Sequence, residues 1–269
     1  MTRLPGRLVL LGHPVSHSLS PRFQNAALRA AGIPLAYEAL DVPPEALAAM
    51  LLELAGQDAS GNVTIPHKEA VAALCVRRSP LAERCGAVNT FWHEDGILVG
   101  DNTDVGGVDA IARALLGEAR RSARVALLGA GGSAAAVLAA VERWGSAHVQ
   151  LYNRNMERAR AVASRFDGSV SVASSLDEAL DGAMLVVNAT PVGLRDDAFP
   201  VAVERIPRDA AVFDLVYRSG ETAWVRAARN AGHRAADGEG MLVEQGALSF
   251  ERWFGIEPDR NAMWSALHN

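Results

Sequence analysis

An uncharged stretch of 17 residues, 125–141, limits most strongly what this chain can fold into. It is shorter than the ~20 residues that span a bilayer, and a cluster of glycines interrupts it. A buried strand, a tight turn and a buried helix explain it better. Gly129, Gly131 and Ala134 give the spacing G-x-G-x-x-A between that strand and that helix. We therefore expect a dinucleotide-binding turn, the alternative being a glycine-rich turn without a ligand.

Predicted strands and helices alternate along almost the whole chain, in two series. The first starts with a strand at residues 7–11, and the second begins at Arg124, after the polar stretch 117–122. This alternation predicts an α/β fold with parallel sheets and helices on both faces. At 269 residues the chain is long enough for two domains, and the polar stretch marks the expected boundary.

Composition excludes several classes of partner. The net charge of −5 gives no basic surface for nucleic acid. Cys75 and Cys85 lack CxxC spacing, which argues against zinc and against a disulfide framework and fits a reducing cytoplasm. The seven histidines form no ligand pattern such as HExxH. We expect a cytoplasmic protein that needs no metal, nucleic acid or membrane, with a homodimer left open.

Lys68 is the only lysine in a chain that has 25 arginines. If positive charge alone were needed at this position, arginine would serve, as it does at every other basic position. Lysine adds a titratable amine on a compact head, whereas guanidinium stays protonated. This favours proton-transfer chemistry at Lys68, against the alternative that it is a chance survivor of an arginine-rich composition.

The end of the second strand of the second series favours NADP over NAD. NAD sites place an acidic residue about 20 positions past the first glycine, where it binds the ribose 2′-hydroxyl. Here Asn153 and Arg154 occupy that region, Arg158 follows one turn later, and no acid is present. Two guanidinium groups suit a 2′-phosphate, although both arginines could also lie on a solvated helix face.

Several short motifs together resemble the shikimate dehydrogenase family, whose members reduce 3-dehydroshikimate to shikimate with NADPH. The matching segments are 12–21 (GHPVSHSLSP), 62–68 (NVTIPHK), 86–90 (GAVNT), 100–104 (GDNTD), 129–133 (GAGGS), 153–154 (NR), 188–193 (NATPVG), 214–217 (DLVY) and 240–245 (GMLVEQ). They follow the family's order over nearly the whole chain. The resemblance implies an enzyme of aromatic amino acid biosynthesis.

The resemblance also implies a fold and roles for individual residues. It implies a substrate domain at residues 1–103, a Rossmann-like NADP-binding domain at 104–236, and a C-terminal helical segment, 237–269, that returns to the substrate domain. Lys68 and Asp104 resemble the catalytic pair. The implied substrate-binding residues are Ser18, Ser20, Thr64, Asn89, Tyr217 and Gln245. The implied cofactor-binding residues are Gly129, Ala130, Gly131, Gly132, Ser133, Asn153, Arg154, Arg158, Thr190, Leu215 and Gly238.

Other interpretations stay open at this stage. Ser18 and Ser20 can simply cap the helix that starts at Pro21, and Asp104 can cap the helix after it. A quinate/shikimate dehydrogenase and a non-catalytic, NADP-binding regulatory relative are the alternative functions. A hydrolase that uses Ser18 and His17 lacks the G-x-S-x-G context.

Some residues depart from the commonest family pattern. Gln24 stands where many members have histidine, Asn155 where threonine is frequent, and His67 where an aromatic residue is common. None of these departures removes a role named above.

Overall fold

The computed structural model describes residues 4–166, 168–218 and 220–268. The chain divides into two compact units: one contains the residues up to Asp104 and those from Leu242 onward, and the other contains Val105–Met241. Asp104 thus belongs to the first unit, and residues 237–241 to the second. Residues 1–3 and 269 of the implied domains lie outside the described part.

The first unit is built on a mixed sheet of six strands. Its elements are β1 Arg7–Gly12, α1 Ser20–Ala30, β2 Tyr37–Asp41, α2 Leu47–Gly56, β3 Ala59–Val63, α3 Lys68–Leu74, β4 Arg77–Arg78, α4 Pro80–Cys85, β5 Thr90–Glu94 and β6 Ile97–Asp101. The strand order is β2-β1-β3-β5-β6-β4. The strand β1 pairs in parallel with β2 and β3, whereas β5 and β6 form the expected antiparallel hairpin.

Successive side chains of β1 pack into hydrophobic clusters on opposite faces of this sheet. Val9 and Leu11 belong to one hydrophobic cluster, and Leu8 and Leu10 belong to another on the opposite face. The period of two follows from the strand geometry, and burial on both faces is typical of a strand at the centre of a parallel sheet.

The second unit carries a parallel sheet. The remaining elements of the chain are α5 Asp104–Leu116, β7 Arg124–Leu128, α6 Gly132–Glu142, β8 His148–Tyr152, α7 Met156–Ala163, β9 Val170–Val172, α8 Leu176–Leu180, β10 Leu185–Asn188, β11 Ala211–Asp214, α9 Ala223–Asn230, β12 Ala235–Ala236, α10 Gly238–Phe254 and α11 Arg260–His268. The six strands lie in the order β12-β11-β10-β7-β8-β9 and pair in parallel throughout. This is the doubly wound order of dinucleotide-binding sheets, and the predicted α/β fold class is confirmed.

Small residues let α6 pack closely on its sheet. Ala134, Ala136 and Val137 of this helix are fully buried. Ala134 therefore has the place that the sequence pattern assigns to the last small residue of the motif, where close helix packing is needed.

Some helices and boundaries differ from those predicted from the sequence. The polar stretch Gly117–Ser122 is a 3₁₀ helix within the second unit, so the boundary expected there is wrong. Ser20 is the first residue of α1 rather than its cap, because Leu19 occupies the cap position. The helices α4 and α8 were not expected, since each has six residues or fewer and shows little periodicity.

No helix among the described residues is long and apolar enough to cross a membrane. Within those residues, no group of three or more His, Cys, Asp and Glu side chains is placed to hold a metal ion. Both cysteines are buried, and burial raises the pKa of Cys75 to about 11.

Candidate active site

Lys68 and Asp104 form a largely buried ion pair in the first unit. Lys68 is the first residue of α3, close after the end of β3, and Asp104 is the first residue of α5. Their side chains are 15% and 6% exposed, and Nζ donates to Oδ2 at 2.5 Å. The start of a 13-residue helix favours a negative charge at Asp104. An ammonium has three N–H groups, so two remain for a bound oxygen.

Asn89 fixes the second oxygen of Asp104. Its Nδ2 donates to Asp104 Oδ1 at 2.8 Å and to Gln245 Oε1 at 3.1 Å, and Thr103 Oγ1 lies 2.9 Å from it. The amide orientation is determined by the backbone N–H of Thr103, which can only donate and meets Asn89 Oδ1 at 2.7 Å. The two hydrogens of Nδ2 thus face three acceptors. The carboxylate of the ion pair is held on both oxygens.

A buried hydroxyl, Ser249, connects α10 to this group. Its Oγ accepts from Asn62 Nδ2 at 2.9 Å and lies 2.7 Å from Thr90 Oγ1 and 3.0 Å from Thr103 Oγ1. It also donates to the carbonyl oxygen of Gln245, one turn earlier in the helix, at 2.9 Å. Ser249 is fully buried, so each of these bonds replaces one to water.

Four residues that support the pair are not among the predicted site residues: Asn62, Thr90, Thr103 and Ser249. Asn62, Thr90 and Thr103 lie within the family segments, and Ser249 lies four positions beyond one. Their only sequence mark is a polar side chain in or beside a strand or helix. A buried polar group needs a partner, so this mark predicts a hydrogen bond but does not identify the other group.

The remaining predicted substrate residues of the first unit lie at the carboxyl ends of its strands. Thr64 follows β3, and its Cγ2 is close enough to Gly12 at the end of β1 that a Cβ there would lie 2.5 Å away. Ser18 and Ser20 follow β1, and Ser18 Oγ accepts from the backbone N–H of Ser20 at 3.2 Å. The start of α1 has no side-chain cap bond.

Two histidines near these residues have different surroundings. His67 is buried, and its Nε2 lies 2.6 Å from the carbonyl oxygen of Val42. It therefore helps to hold the loop before α3. His17 is exposed, between Ser16 and Ser18.

In the second unit the glycine turn has the geometry that a pyrophosphate needs. Gly129 has a φ of +111°, and a Cβ there would lie 2.8 Å from the carbonyl oxygen of Ala189. Gly131 precedes α6 and carries no side-chain cap bond, so the first N–H groups of the helix are free of a capping side chain. A Cβ on Gly132 would meet nothing within 4 Å. Ala130 and Ser133 complete the turn, which fits a dinucleotide.

The predicted 2′-phosphate residues follow β8. Arg158 Nε donates to the carbonyl oxygen of Ala130 at 2.8 Å, so this guanidinium lies over the glycine turn. Asn155 Oδ1 caps α7 by accepting from the backbone N–H of Arg158, and Asn153 Nδ2 donates to the carbonyl oxygen of Asn155. Arg154 is exposed.

Three further predicted cofactor residues lie at the carboxyl edge of the same sheet. Thr190 follows β10, and its Cγ2 would lie 3.0 Å from a Cβ on Gly129. Leu215 follows β11, and its backbone N–H donates to the carbonyl oxygen of Asn188. Gly238 lies so close to Leu215 that a Cβ on Gly238 would be 2.4 Å from the carbonyl oxygen of Leu215.

Tyr217, the remaining predicted substrate residue, belongs to the second unit, three residues past the end of β11.

The chain has a doubly wound sheet with a glycine turn, and it also has a largely buried amine–carboxylate pair. Together these features define a class of protein, the dinucleotide-dependent oxidoreductases. Family models agree with this class. The model of the shikimate dehydrogenase substrate-binding domain matches residues 10–91, that of shikimate/quinate 5-dehydrogenase matches 110–193, and that of the shikimate 5′-dehydrogenase C-terminal domain matches 238–268.

Individual relatives narrow this further. The shikimate dehydrogenase (NADP⁺) of Rubrobacter xylanophilus is 46% identical over 268 residues, which cover 96% of this chain and 94% of that protein. The crystal structure of shikimate 5-dehydrogenase from Thermus thermophilus, in complex with NADP(H) and shikimate, is 40% identical with a TM-score of 0.88, covering 97% of this chain and 98% of that one. The Aquifex aeolicus enzyme is 34% identical with a TM-score of 0.92, covering 98% of both chains. The chain belongs to the shikimate dehydrogenase family.

Proposed function

We propose that this chain catalyses the reversible, NADPH-dependent reduction of 3-dehydroshikimate to shikimate in aromatic amino acid biosynthesis, with Lys68 and Asp104 as its acid–base pair. Family membership supports the reaction and the cofactor. The observation that carries the assignment of residues is the 2.5 Å contact between the only lysine and a buried carboxylate.

Lys68 would act on the oxygen that changes its bond order. Bound NADPH supplies the hydride for the substrate ketone. The ketone oxygen then gains negative charge, and a positioned ammonium stabilises that charge and donates the proton. Asp104 keeps the amine in place through the contact between Nζ and Oδ2. In the reverse direction the same amine takes the proton from the hydroxyl.

The other predicted residues would hold the substrate and the cofactor. Thr64, Asn89 and Gln245 offer hydrogen bonds to ring hydroxyls, and Ser18 and Ser20 offer hydroxyls to the carboxylate. Tyr217 is assigned a further substrate contact. The turn from Gly129 to Ser133 would receive the pyrophosphate, and Asn153, Arg154 and Arg158 the 2′-phosphate end. Thr190, Leu215 and Gly238 would border the other end of the cofactor.

Two alternative functions make different predictions. A quinate/shikimate dehydrogenase is kept open because one matched family model covers both activities. It would oxidise quinate at a rate comparable with shikimate. A regulatory relative would bind NADP without turnover, and the intact pair at Lys68 and Asp104 favours catalysis instead.

One assay separates these functions. NADPH formation is followed by absorbance with shikimate and NADP⁺, and quinate and NAD⁺ each replace their counterpart in parallel reactions. We expect turnover with shikimate and NADP⁺ that exceeds every other combination. Comparable rates with quinate would favour the first alternative, and binding without turnover would favour the second.

The proposal extends to location and assembly. A cytoplasmic location is supported by the cysteine content of the sequence, because two cysteines ten positions apart offer no disulfide framework of the kind that secreted proteins use. A homodimer is the assembly to test by sedimentation velocity, because the 28.5 kDa monomer and its dimer differ twofold in mass.

A further inference from the structure

Asp214 is a buried carboxylate at the carboxyl end of β11. It is 1% exposed, and it accepts hydrogen bonds from Asn188 Nδ2 at 2.8 Å, the backbone N–H of Val216 at 3.1 Å and Thr222 Oγ1 at 2.9 Å. All three donors are neutral. Burial raises the pKa of the Asp214 carboxyl above its ordinary value. Burying a carboxylate costs free energy, so a gain in stability does not explain this one. Its position at the edge of the sheet where the cofactor residues are predicted suggests a role in binding.

The side chain of Asn188 links this carboxylate to the next loop. Its Oδ1 accepts from the backbone N–H of Thr190 at 3.0 Å and from Thr190 Oγ1 at 2.6 Å. Its Nδ2 donates to Asp214 Oδ1 and to the carbonyl oxygen of Val192 at 3.2 Å. An amide side chain has two donor hydrogens and two acceptor lone pairs. Asn188, which is fully buried, therefore makes every hydrogen bond available to it.

Asp214 helps to determine which way the Asn188 amide points. An ionised carboxylate can only accept, and the backbone N–H of Thr190 can only donate. If the Asn188 amide turned over, its oxygen would face the carboxylate of Asp214 and its NH₂ group would face the N–H of Thr190. Both contacts would be repulsive, as would that of the turned oxygen with the Val192 carbonyl, so Asp214 acts together with Thr190 and Val192 to leave one orientation.

The loop that this amide holds lies against the glycine turn. A Cβ on Gly129 would be 2.8 Å from the carbonyl oxygen of Ala189 and 3.0 Å from Thr190 Cγ2. The hydroxyl of Thr190 is fixed as well, because it donates to Asn188 Oδ1 and accepts from the N–H of Val192 at 3.2 Å. A shift of the loop would therefore change the shape of the edge beside the turn.

We propose that Asp214 and Asn188 are positioning residues for the cofactor: Asp214 orients the Asn188 amide, and that amide holds Thr190 and its loop in the conformation that receives NADP(H). The inference rests on the proposed function in taking NADP(H) as the ligand. It adds that the affinity of this edge depends on a buried carboxylate that need not touch the cofactor.

The test measures NADPH binding directly, by fluorescence titration well below each protein's melting temperature. Asn188→Ala removes both bonds to Thr190, and we expect the Kd for NADPH to rise roughly tenfold. Asp214→Asn keeps the shape of the side chain and replaces the charged acceptor of Asn188 Nδ2 with a weaker, neutral one, so we expect a several-fold rise. Under the same proposal the KM for NADPH rises in both variants, while shikimate binding measured by calorimetry stays within twofold of the parent protein.

Thr222→Val is the matched control. It removes the third donor to the same carboxylate and the cap of α9, and it leaves Asn188 and Thr190 paired. We expect a lower melting temperature with an unchanged Kd for NADPH. Parent-like NADPH binding in both Asn188→Ala and Asp214→Asn would overturn the proposal. So would a loss of NADPH affinity in Thr222→Val as large as that in Asp214→Asn, since it would reveal a general effect of stability.

The outcome is separate from that of the proposed reaction. If the parent protein binds NADPH but does not oxidise shikimate, the proposed reaction is wrong, and the binding titrations still decide the roles of Asp214 and Asn188. If Asn188→Ala fails to fold, the comparison of the NADPH Kd of Asp214→Asn with that of Thr222→Val is sufficient to test the proposal.

Discussion

The two units build their proposed sites from different parts of the polypeptide. In the first unit the group around Lys68 consists of side chains from β3, β5, α5 and α10, joined by buried hydrogen bonds. In the second unit the glycine turn offers backbone N–H groups, and side chains act mainly by holding loops. The proposed reaction therefore depends on which side chains are present in the first unit, and the proposed cofactor binding depends on the backbone conformation of the second.

The largest effect should come from the only lysine. Removal of a positioned acid–base group costs about 10²–10⁴ in kcat, and we expect Lys68→Ala to lose that much while NADP binding stays near that of the parent. Steady-state kinetics with a separate NADPH titration checks this. Glu69→Ala, at the exposed next position of α3, is the control and should retain turnover. A comparable loss of NADP affinity in Lys68→Ala would contradict the assignment of catalysis to the first unit and cofactor binding to the second.

Lys68→Arg sharpens the same comparison. It keeps the positive charge beside Asp104 and removes the titratable amine. We expect kcat to stay far below that of the parent. Near-normal turnover would mean that charge alone is needed, and the argument from the single lysine would then be wrong.

The next largest effect should be on cofactor choice. Arg154→Asp replaces a charge-assisted contact with repulsion and should weaken NADP binding by about 2–3 kcal/mol, with shikimate binding unchanged. Arg160→Asp makes the same charge change at an exposed position of α7 and serves as the control. Equal NADP affinity in the parent and Arg154→Asp would remove Arg154 from the 2′-phosphate site.

A smaller effect is expected at the two serines after β1. Replacing Ser18 and Ser20 together with alanine should raise the KM for shikimate by about tenfold or more, because the substrate carboxylate loses two hydroxyl donors. NADP binding should barely change. Ser16→Ala, at an exposed serine of the same loop, is the control. An equal fall in NADP binding in the double variant would show that the serines have a structural role.

The smallest effect concerns stability and pH. Burial, aided by Glu239 and Glu221, raises the pKa of Asp237 from about 3.8 to about 6. The folded state thus binds this proton more tightly than the unfolded state, so stability falls as pH rises from about 4 to 6. Asp237→Asn should be more stable than the parent at pH 8 by about 1 kcal/mol, allowing for screening at this partly exposed site, and equal to it at pH 4.

Denaturant unfolding at both pH values checks this prediction, and Asp209→Asn, at an exposed loop position, is the control. A gain in stability that is the same at pH 4 and pH 8 would exclude the titration of Asp237 as its cause.

Local motifs explain what the sequence could predict. The glycine turn needs only ten consecutive residues, and Lys68 stands out by composition alone, so the parallel sheet of the second unit and the key amine were accessible. Short helices such as α4 and α8 were missed because five or six residues show too little of a 3.6-residue period. The expected boundary at 117–122 was wrong because the polar residues there form a 3₁₀ helix, exposed except at Arg120, within the second unit.

Long-range partners explain what the sequence could not predict. Ser249 lies 187 positions from Asn62 and 159 from Thr90, and no local period joins them. Asn188 and Asp214 are 26 positions apart and meet because β10 and β11 are neighbours in the sheet. Such pairs are set by strand order, which sequence patterns describe only coarsely.

The surroundings of Asn89 have a consequence for which molecules the first unit accepts. The two hydrogens on its nitrogen can both be donated to Asp104 and Gln245, because Thr103 Oγ1, which is also within reach, has the hydroxyls of Thr90 and Ser249 as further partners. The oxygens of Asp104 and Gln245 can each accept a second hydrogen bond. A ligand hydroxyl can donate to them, whereas a ketone or an ether oxygen of the same size cannot. Which oxygen of a ligand can lie here therefore depends on which of them carries a hydrogen.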